Sequence, residues 1–380
     1  MVELAEIFRR HGPPYRAKFG HKMLPSHKQV MRAIEQCRTP ALGGHVYDRP
    51  ECDETQYLYH SCRNRHCPKC QNGKGQQWLE KQQDLLLPVP YFLVTFTLPS
   101  GLRRVARSYQ ELVYNLLFRT SAAAMQQLAR DPRFVGGQMG MVGVLHTWGR
   151  NLSYHPHVHY LVPAGGVALD GQTWLPAGKN FLLPVKALSI IFRAKFRDAL
   201  RQTACFADVP QAVWEQEWVV HCQPVGNGLG ALKYLTPYIF RVAISNNRIL
   251  KLADGKVTFR YRTSDTGKLK TCTLPAEEFI RRFLQHVLPK GFVKVRYYGF
   301  LSSGLRQRLA AVRQQLGSPP ADPSPLPEGT DLDTQTTDHL TDDSAPNPLL
   351  LCPSCGRVMQ RRSIPRPQGR CPPGAVEPCR

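Results

Sequence analysis

No apolar run in this 380-residue sequence approaches the roughly 20 residues that cross a bilayer. The opening "MVELAEIFRR" has an early glutamate and no apolar signal core, so that segment is not expected to act as a secretory leader. A glycine-rich phosphate loop is absent, so ATP-driven chemistry is not expected, and no internal repeat points to a solenoid. Acid is scarce as well: 28 Asp and Glu face 50 Lys and Arg, a formal charge of +22 spread through the chain. Such a surface needs a polyanion as partner, and without membrane signals that polyanion is expected to be nucleic acid in the cytoplasm. With 42% hydrophobic residues the chain can build a real core, and its length allows two or three domains.

Twelve cysteines would read as disulfides in a secreted chain, but here they read as metal ligands in a reducing compartment. One group lies in "CRTPALGGHVYDRPECDETQYLYHSCRNRHCPKCQ". Cys67 and Cys70 form its tightest pair, Cys37, Cys52 and Cys62 are further thiols, and His45 and His66 are possible extra donors. Four such ligands close a tetrahedral structural zinc site, and the spacing leaves open which four. Arg63, Arg65 and Lys69 stand among them, so the module presents positive charge to a phosphate backbone. A second group, Cys352 and Cys355 in "CPSCGRVMQRR", has the shape of half a zinc ribbon, with Cys371 and Cys379 as candidate partners. Cys205, Cys222 and Cys272 are scattered and read as small buried hydrophobes.

The stretch "YHPHVHYL" places His155, His157 and His159 at alternating positions, hence on one face of a strand. A lone strand histidine is ordinarily a polar residue with one hydrogen bond, whereas a row crowds ring nitrogens for no packing gain unless a ligand or proton transfer uses them. Strands are expected at "YFLVTFTLP", "MVGVLHT", "WEQEWVVHCQPV", "FRVAISNNRIL" and "KVTFRYRTS". Helices are expected over 75–87 and 102–130, at "LSIIFRAKFRDALRQ", and at "PAEEFIRRFLQHVL" with its proline in the first helical position. "MVGVLHT" and the histidine strand form an expected antiparallel hairpin near the sheet centre. In "KYLTPYIFRVAISN", Tyr234 and Tyr238 stand four apart, the spacing of neighbours on a helix face; tyrosine pairs of this kind are commonly core residues, but a phenol can also attack a phosphodiester.

The expected fold is therefore α+β, an antiparallel central sheet with flanking helices, preceded by a small N-terminal zinc-binding module held by metal rather than core. The expected boundaries are 1–88 for the zinc module, 89–303 for the sheet domain, 304–316 for a basic helix, 317–349 for an acidic Ser/Pro/Asp/Thr linker that cannot fold, and 350–380 for a cysteine-bearing tail.

Read together, "SCRNRHCPKCQ", "LPVPYFLVTFTLP", "HPHVHYLVPAGG", "KYLTPYIFRVAISNNRI", "EEFIRRFLQHVLPKGFVKVRYYGFLS" and, more weakly, "CPSCG" resemble the rolling-circle insertion-sequence transposases of the two-tyrosine HUH type, the insertion sequence ninety-one family, from about Cys37 to Ser302. The resemblance implies an HUH endonuclease-like catalytic domain in which His157 and His159 hold Mg or Mn and Tyr234 and Tyr238 are the nucleophile pair. His155 is the local candidate for a third ligand, with a distant Gln, Glu or His as the alternative. The implied reaction nicks one DNA strand, transfers its 5′ end to tyrosine and frees a 3′ hydroxyl. Implied partners are single-stranded or hairpin element ends and target DNA on a bacterial nucleoid, with Arg241 as a further DNA contact and Zn as the structural metal. Arg49 stands where that family pairs a second cysteine with Cys52, and Pro237 interrupts helical hydrogen bonding between the tyrosines. The rival readings are a plasmid rolling-circle replication initiator or relaxase, and a zinc-dependent DNA-binding protein without catalysis.

Overall fold

The computed structural model describes residues 2–71, 78, 86–178, 180–228, 230, 232–233, 239, 243–263, 266–317 and 350–367. Its strands in chain order are β1 (Gly44–Arg49), β2 (Glu54–Tyr59), β3 (Pro90–Thr97), β4 (Met141–Trp148), β5 (Tyr154–Pro163), β6 (Gly165–Val167), β7 (Trp174–Pro176), β8 (Val220–Asn227), β9 (Ile249–Ala253), β10 (Lys256–Arg262), β11 (Leu269–Pro275), β12 (Val295–Tyr298) and β13 (Gln360–Ile364). Helices and antiparallel sheets alternate along the chain, so the fold is α+β. Two compact units emerge. The first gathers described residues from 1–72, 242–287 and 335–380; the second gathers those from 73–241 and 288–334.

The second unit is built on a five-stranded sheet of order β12-β4-β5-β3-β8, antiparallel throughout. Both faces are covered, which is why its strands read as nearly continuous apolar runs rather than clean alternation. On one face Phe92, Val94, Phe96, Leu145, Val158 and Tyr160 pack with Leu117 and Phe118 of helix Gln110–Ala129 and with Phe192 and Phe196 of helix Val185–Arg201. On the other, Leu93, Val142, Val144 and Leu161 pack with Leu232, Ile239, Phe300 and, from helix Arg306–Gln315, Leu309 and Val312. The helix expected over 102–130 is two helices, Arg103–Ser108 and Gln110–Ala129, because Tyr109 leaves helical geometry at φ −123°, ψ 52°. After β12 the chain turns at Gly299 with φ 59°, where an added Cβ would lie 1.9 Å from the Met139 carbonyl oxygen.

The first unit holds two three-stranded sheets, β13-β1-β2 and β11-β10-β9. Contrary to the expectation of a metal-held module without a core, helix Leu4–Phe19 buries Leu4, Ile7 and Phe8, and Phe8 meets Phe283 of helix Ala276–Leu284 edge-on at 5.3 Å. Pro13 and Pro14 inside the first helix disguise its periodicity in the sequence. Pro275 caps the later helix in extended conformation instead of occupying its first turn. Of the strand expected at 240–250, residues 240–242 lie outside the described residues, and among the described ones the strand runs from Ile249, after a short turn over Asn246–Arg248. The helix expected over 75–87 falls mostly outside the described residues.

Candidate functional site

In the five-stranded sheet β5 is the central strand, and register fixes what its histidines meet. His157 lies opposite His146 of β4 and Thr97 of β3, and His159 lies opposite Val144 and Thr95. Directly opposed residues share a face, so three imidazoles converge: ligand atoms of His146, His157 and His159 all lie within 4.8 Å of one another. His146 is 2% exposed and His159 9%. The His157 Nδ1 sits 2.6 Å from the backbone oxygen of His155. A carbonyl only accepts, so Nδ1 carries the proton and the neutral ring holds its lone pair on Nε2, the state a metal ligand needs. His159 Nδ1 is 2.9 Å from Thr95 Oγ1, an orienting contact of the same kind. The His146 ring stacks on Trp148 at 4.7 Å, and the Lys294 ammonium lies over that indole at 5.2 Å.

His155, the sequence candidate for third ligand, stands outside this group. Its Nδ1 is 3.4 Å from the Arg103 guanidinium, and burial, helped by that neighbouring charge, holds its pKa below the ordinary histidine value. His146 takes the third place instead. Sequence reasoning missed it because a single histidine in "MVGVLHT" looks ordinary; the signal was its position in the hairpin partner, which only the register reveals. Tyr234, Tyr238 and Arg241 lie outside the described residues. Their described neighbours Leu232 and Ile239 are each 4% exposed in the cluster on the histidine face of the sheet. Lys294 donates to the Ile239 carbonyl at 2.9 Å, while its own carbonyl accepts from the backbone N–H of Leu145, next to His146.

In the first unit the sulfurs of Cys37, Cys62, Cys67 and Cys70 lie within 4.8 Å of one another. Cys37 ends helix Pro25–Gln36, Cys62 follows β2, and Cys67 and Cys70 bracket the first turn of the short helix Pro68–Gln71. Cys37 and Cys70 each lie 3.5 Å from a partner sulfur, and the Cys62 N–H points at the Cys37 sulfur. Hydrogen bonds from the Cys62 and Cys67 thiols draw the Cys37 thiol down to about 7, and bonds from Cys37, Cys62 and Cys67 draw Cys70 down as well. The mutual thiol contacts and burial push Cys62 and Cys67 up in turn, so the shifts offset one another across the set; what fits a structural zinc ion is the closed geometry of four clustered thiols. His45 and His66 are not in the group: His45 Nε2 contacts Arg361, and His66 Nδ1 contacts the Asn64 side chain at 3.1 Å. Cys52 also stands apart, within 4.8 Å of Cys352 and Cys355. Cys371 and Cys379 lie outside the described residues. Of the expected DNA contacts, Lys69 is held by Glu3 at 2.7 Å and Arg63 adopts a left-handed backbone with φ 52°.

The exposed face of β9–β11 carries a second basic surface that the sequence reading passed over. Lys251, Lys256, Arg260 and Arg262 are exposed, and register sets Thr258, Thr271 and Thr273 among them with no acid on the strand positions of that face.

The family described as "Transposase zinc-binding domain" matches residues 7–98, and the one described as "Putative transposase" matches residues 140–308. The first range holds the four-thiol cluster, the second the three histidines and both tyrosines. A relative named "Putative transposase y4qJ", from Sinorhizobium fredii (strain NBRC 101917 / NGR234), is 41% identical over 375 residues, covering 93% of this chain and 92% of the relative. The transposase for insertion sequence element IS801 of Pseudomonas savastanoi pv. phaseolicola is 29% identical over 315 residues, covering 77% and 74%. No solved structure matches the chain significantly. A transposase zinc-binding domain and a transposase family in order along the chain, with a relative matched over nearly its whole length, place it: the chain belongs to the insertion sequence ninety-one family of transposases.

Proposed function

We propose that this transposase works as an HUH-type strand transferase, with Tyr234 and Tyr238 as nucleophiles and His146, His157 and His159 as ligands for Mg or Mn. The observation that carries the reading is the convergence of three imidazoles within 4.8 Å on the central strands, with the His157 proton fixed on Nδ1 by a backbone carbonyl. A divalent ion held there would offset the charge that builds on the scissile phosphate. The chain's own residues do the rest. Thr95 and the His155 carbonyl orient the rings. Leu232 and Ile239 anchor both flanks of the tyrosine segment on the face that carries the histidines.

In the proposed step a tyrosine hydroxyl attacks phosphorus and gives up its proton as the bond to the 3′ oxygen breaks. That oxygen leaves and is protonated to a free 3′ hydroxyl, while the 5′ phosphate stays on tyrosine. The phosphotyrosine conserves the energy of the phosphodiester, so no nucleotide is hydrolysed. A second tyrosine allows two strands to be held at once, and a 3′ hydroxyl of one rejoins to the phosphate of the other. The basic zinc module and the Lys251/Arg260/Arg262 face would hold the phosphate backbone of single-stranded or hairpin element ends.

The test is incubation of the chain with single-stranded DNA from its element's ends and Mg or Mn. The reading expects nicked product whose 3′ end a polymerase extends and whose 5′ end, even after proteolysis and phosphatase treatment, resists labelling by a kinase because a tyrosyl phosphodiester still blocks it. Nicks whose 5′ ends a kinase labels directly or after phosphatase alone would overturn the tyrosine mechanism.

A further inference from the structure

Outside both matched ranges the C-terminal segment returns to the N-terminal sheet. β13 pairs with β1 from Gly44↔Ile364 to Asp48↔Gln360. The apolar support for this pairing is slight: Tyr47, Cys352 and Met359 are buried, with Cys52 and Leu350 packed against them. So small a cluster cannot by itself hold a strand tethered through a long Ser- and Pro-rich stretch, and small modules of this kind are ordinarily stapled by metal or disulfide.

Two turns of the same make meet at this cluster. One reads Arg49-Pro-Glu-Cys52-Asp53, the other Cys352-Pro-Ser-Cys355-Gly356. In both, the residue after the last cysteine is left-handed, Asp53 with φ 52° and Gly356 with φ 67°. The comparison puts Arg49 in the position that Cys352 occupies in its own turn. Cys52, Cys352 and Cys355 bring their sulfurs within 4.8 Å of one another. The Arg357 backbone N–H and the Arg49 guanidinium lie near the Cys355 sulfur and favour its thiolate, and Arg49 is also paired with Glu51 at 3.2 Å. Ser354 donates to Glu54 at 2.5 Å and Arg362 to Asp48 at 2.7 Å, tying the same two segments together.

We infer that Cys52, Cys352 and Cys355 form a second zinc site, a three-thiolate clip that fastens the C-terminal strand to the N-terminal sheet, with Arg49 in the fourth ligand's place. Three thiolates around Zn²⁺ leave one negative charge, which the Arg49 guanidinium, shared with Glu51 at 3.2 Å, offsets in part from beside Cys355. The fourth coordination position is left to water or an exogenous ligand, so this zinc exchanges faster than the one in the closed four-thiol cluster. The clip is independent of the nicking chemistry proposed above.

The experiment is zinc counting and release on the full-length chain under reductant, using a chromophoric chelator. Wild type should release zinc in two phases, and the Cys352→Ser/Cys355→Ser variant should contain one zinc fewer per chain and lack the fast phase. Chelation sufficient for the fast phase alone should expose residues 350–367 to protease. Arg49→Cys adds a ligand rather than removing one, and it should slow the fast phase at least about tenfold while leaving the slow phase unchanged. It keeps the inference testable if the serine variant misfolds. Equal zinc content in wild type and the serine variant, an Arg49→Cys release profile identical to wild type, or a Cys352–Cys355 disulfide in the zinc-loaded chain would overturn it.

Discussion

His157 is oriented by its neighbour's backbone: its Nδ1–H donates to the His155 carbonyl, while the His155 Nδ1 lies 3.4 Å from the Arg103 guanidinium. The two histidines should therefore answer differently to truncation. His146→Ala, like His157→Ala or His159→Ala, is expected to lower nicking by about 100-fold or more, the scale of losing one group that stabilises a charged transition state. His155→Ala keeps the carbonyl and should stay within about tenfold of wild type. Single-turnover nicking rates, with circular dichroism to confirm folding, separate these outcomes; equal losses at His146 and His155 would contradict the assignment. The alternation of histidines was readable from the sequence because strand period is a local property. His146 was not, since its role depends on a cross-strand register interrupted by an irregularity between His146 and Trp148.

At the level of elements, β3, β4, β5 and β8 of the central sheet were legible because aromatic and β-branched runs bounded by proline and glycine mark strands whatever their partners, while the short edge strand β12 was missed. The N-terminal helices Leu4–Phe19 and Pro25–Gln36 were not read from the sequence, since Phe8 finds its partner Phe283 far along the chain, a relation no local pattern carries. Phe283→Ala should cost about 3–5 kcal/mol in the first unit, read by chemical denaturation, because both rings are fully or almost fully buried. Gly299→Ala should cost about 2 kcal/mol or more, since the left-handed φ and the Met139 carbonyl both oppose a side chain there. The basic face of β9–β11 gives a further expectation. Replacing Lys251, Arg260 and Arg262 with alanine should lower the slope of log affinity against log salt by about 2–3 if each meets a phosphate. An unchanged slope would remove that face from the DNA surface.

Across the whole molecule, charge announced the partner class before any residue was placed: +22 on 380 residues requires a polyanion, and a transposase acts on one. Among the described residues no helix is long and apolar enough to cross a membrane. The cysteines announced metal, but not how they divide, because Cys52 joins Cys352 and Cys355 across 300 residues of sequence rather than its four neighbours. Removing zinc from the four-thiol cluster should loosen the segment from Cys62 to Cys70 while the Phe8–Phe283 core stays folded, and should weaken DNA binding at low salt, an outcome fluorescence anisotropy with circular dichroism would show.

The central claim is that tyrosine becomes covalently joined to DNA on the histidine face of the sheet. The most direct measurement is mass mapping of the protein–DNA adduct formed on single-stranded element ends with Mg or Mn, in wild type and in a His157→Ala/His159→Ala variant. The account predicts a nucleotide-bearing peptide that contains Tyr234 or Tyr238 in the wild type and is missing from the variant. Tight DNA binding without an adduct, or an adduct on another residue, would contradict it.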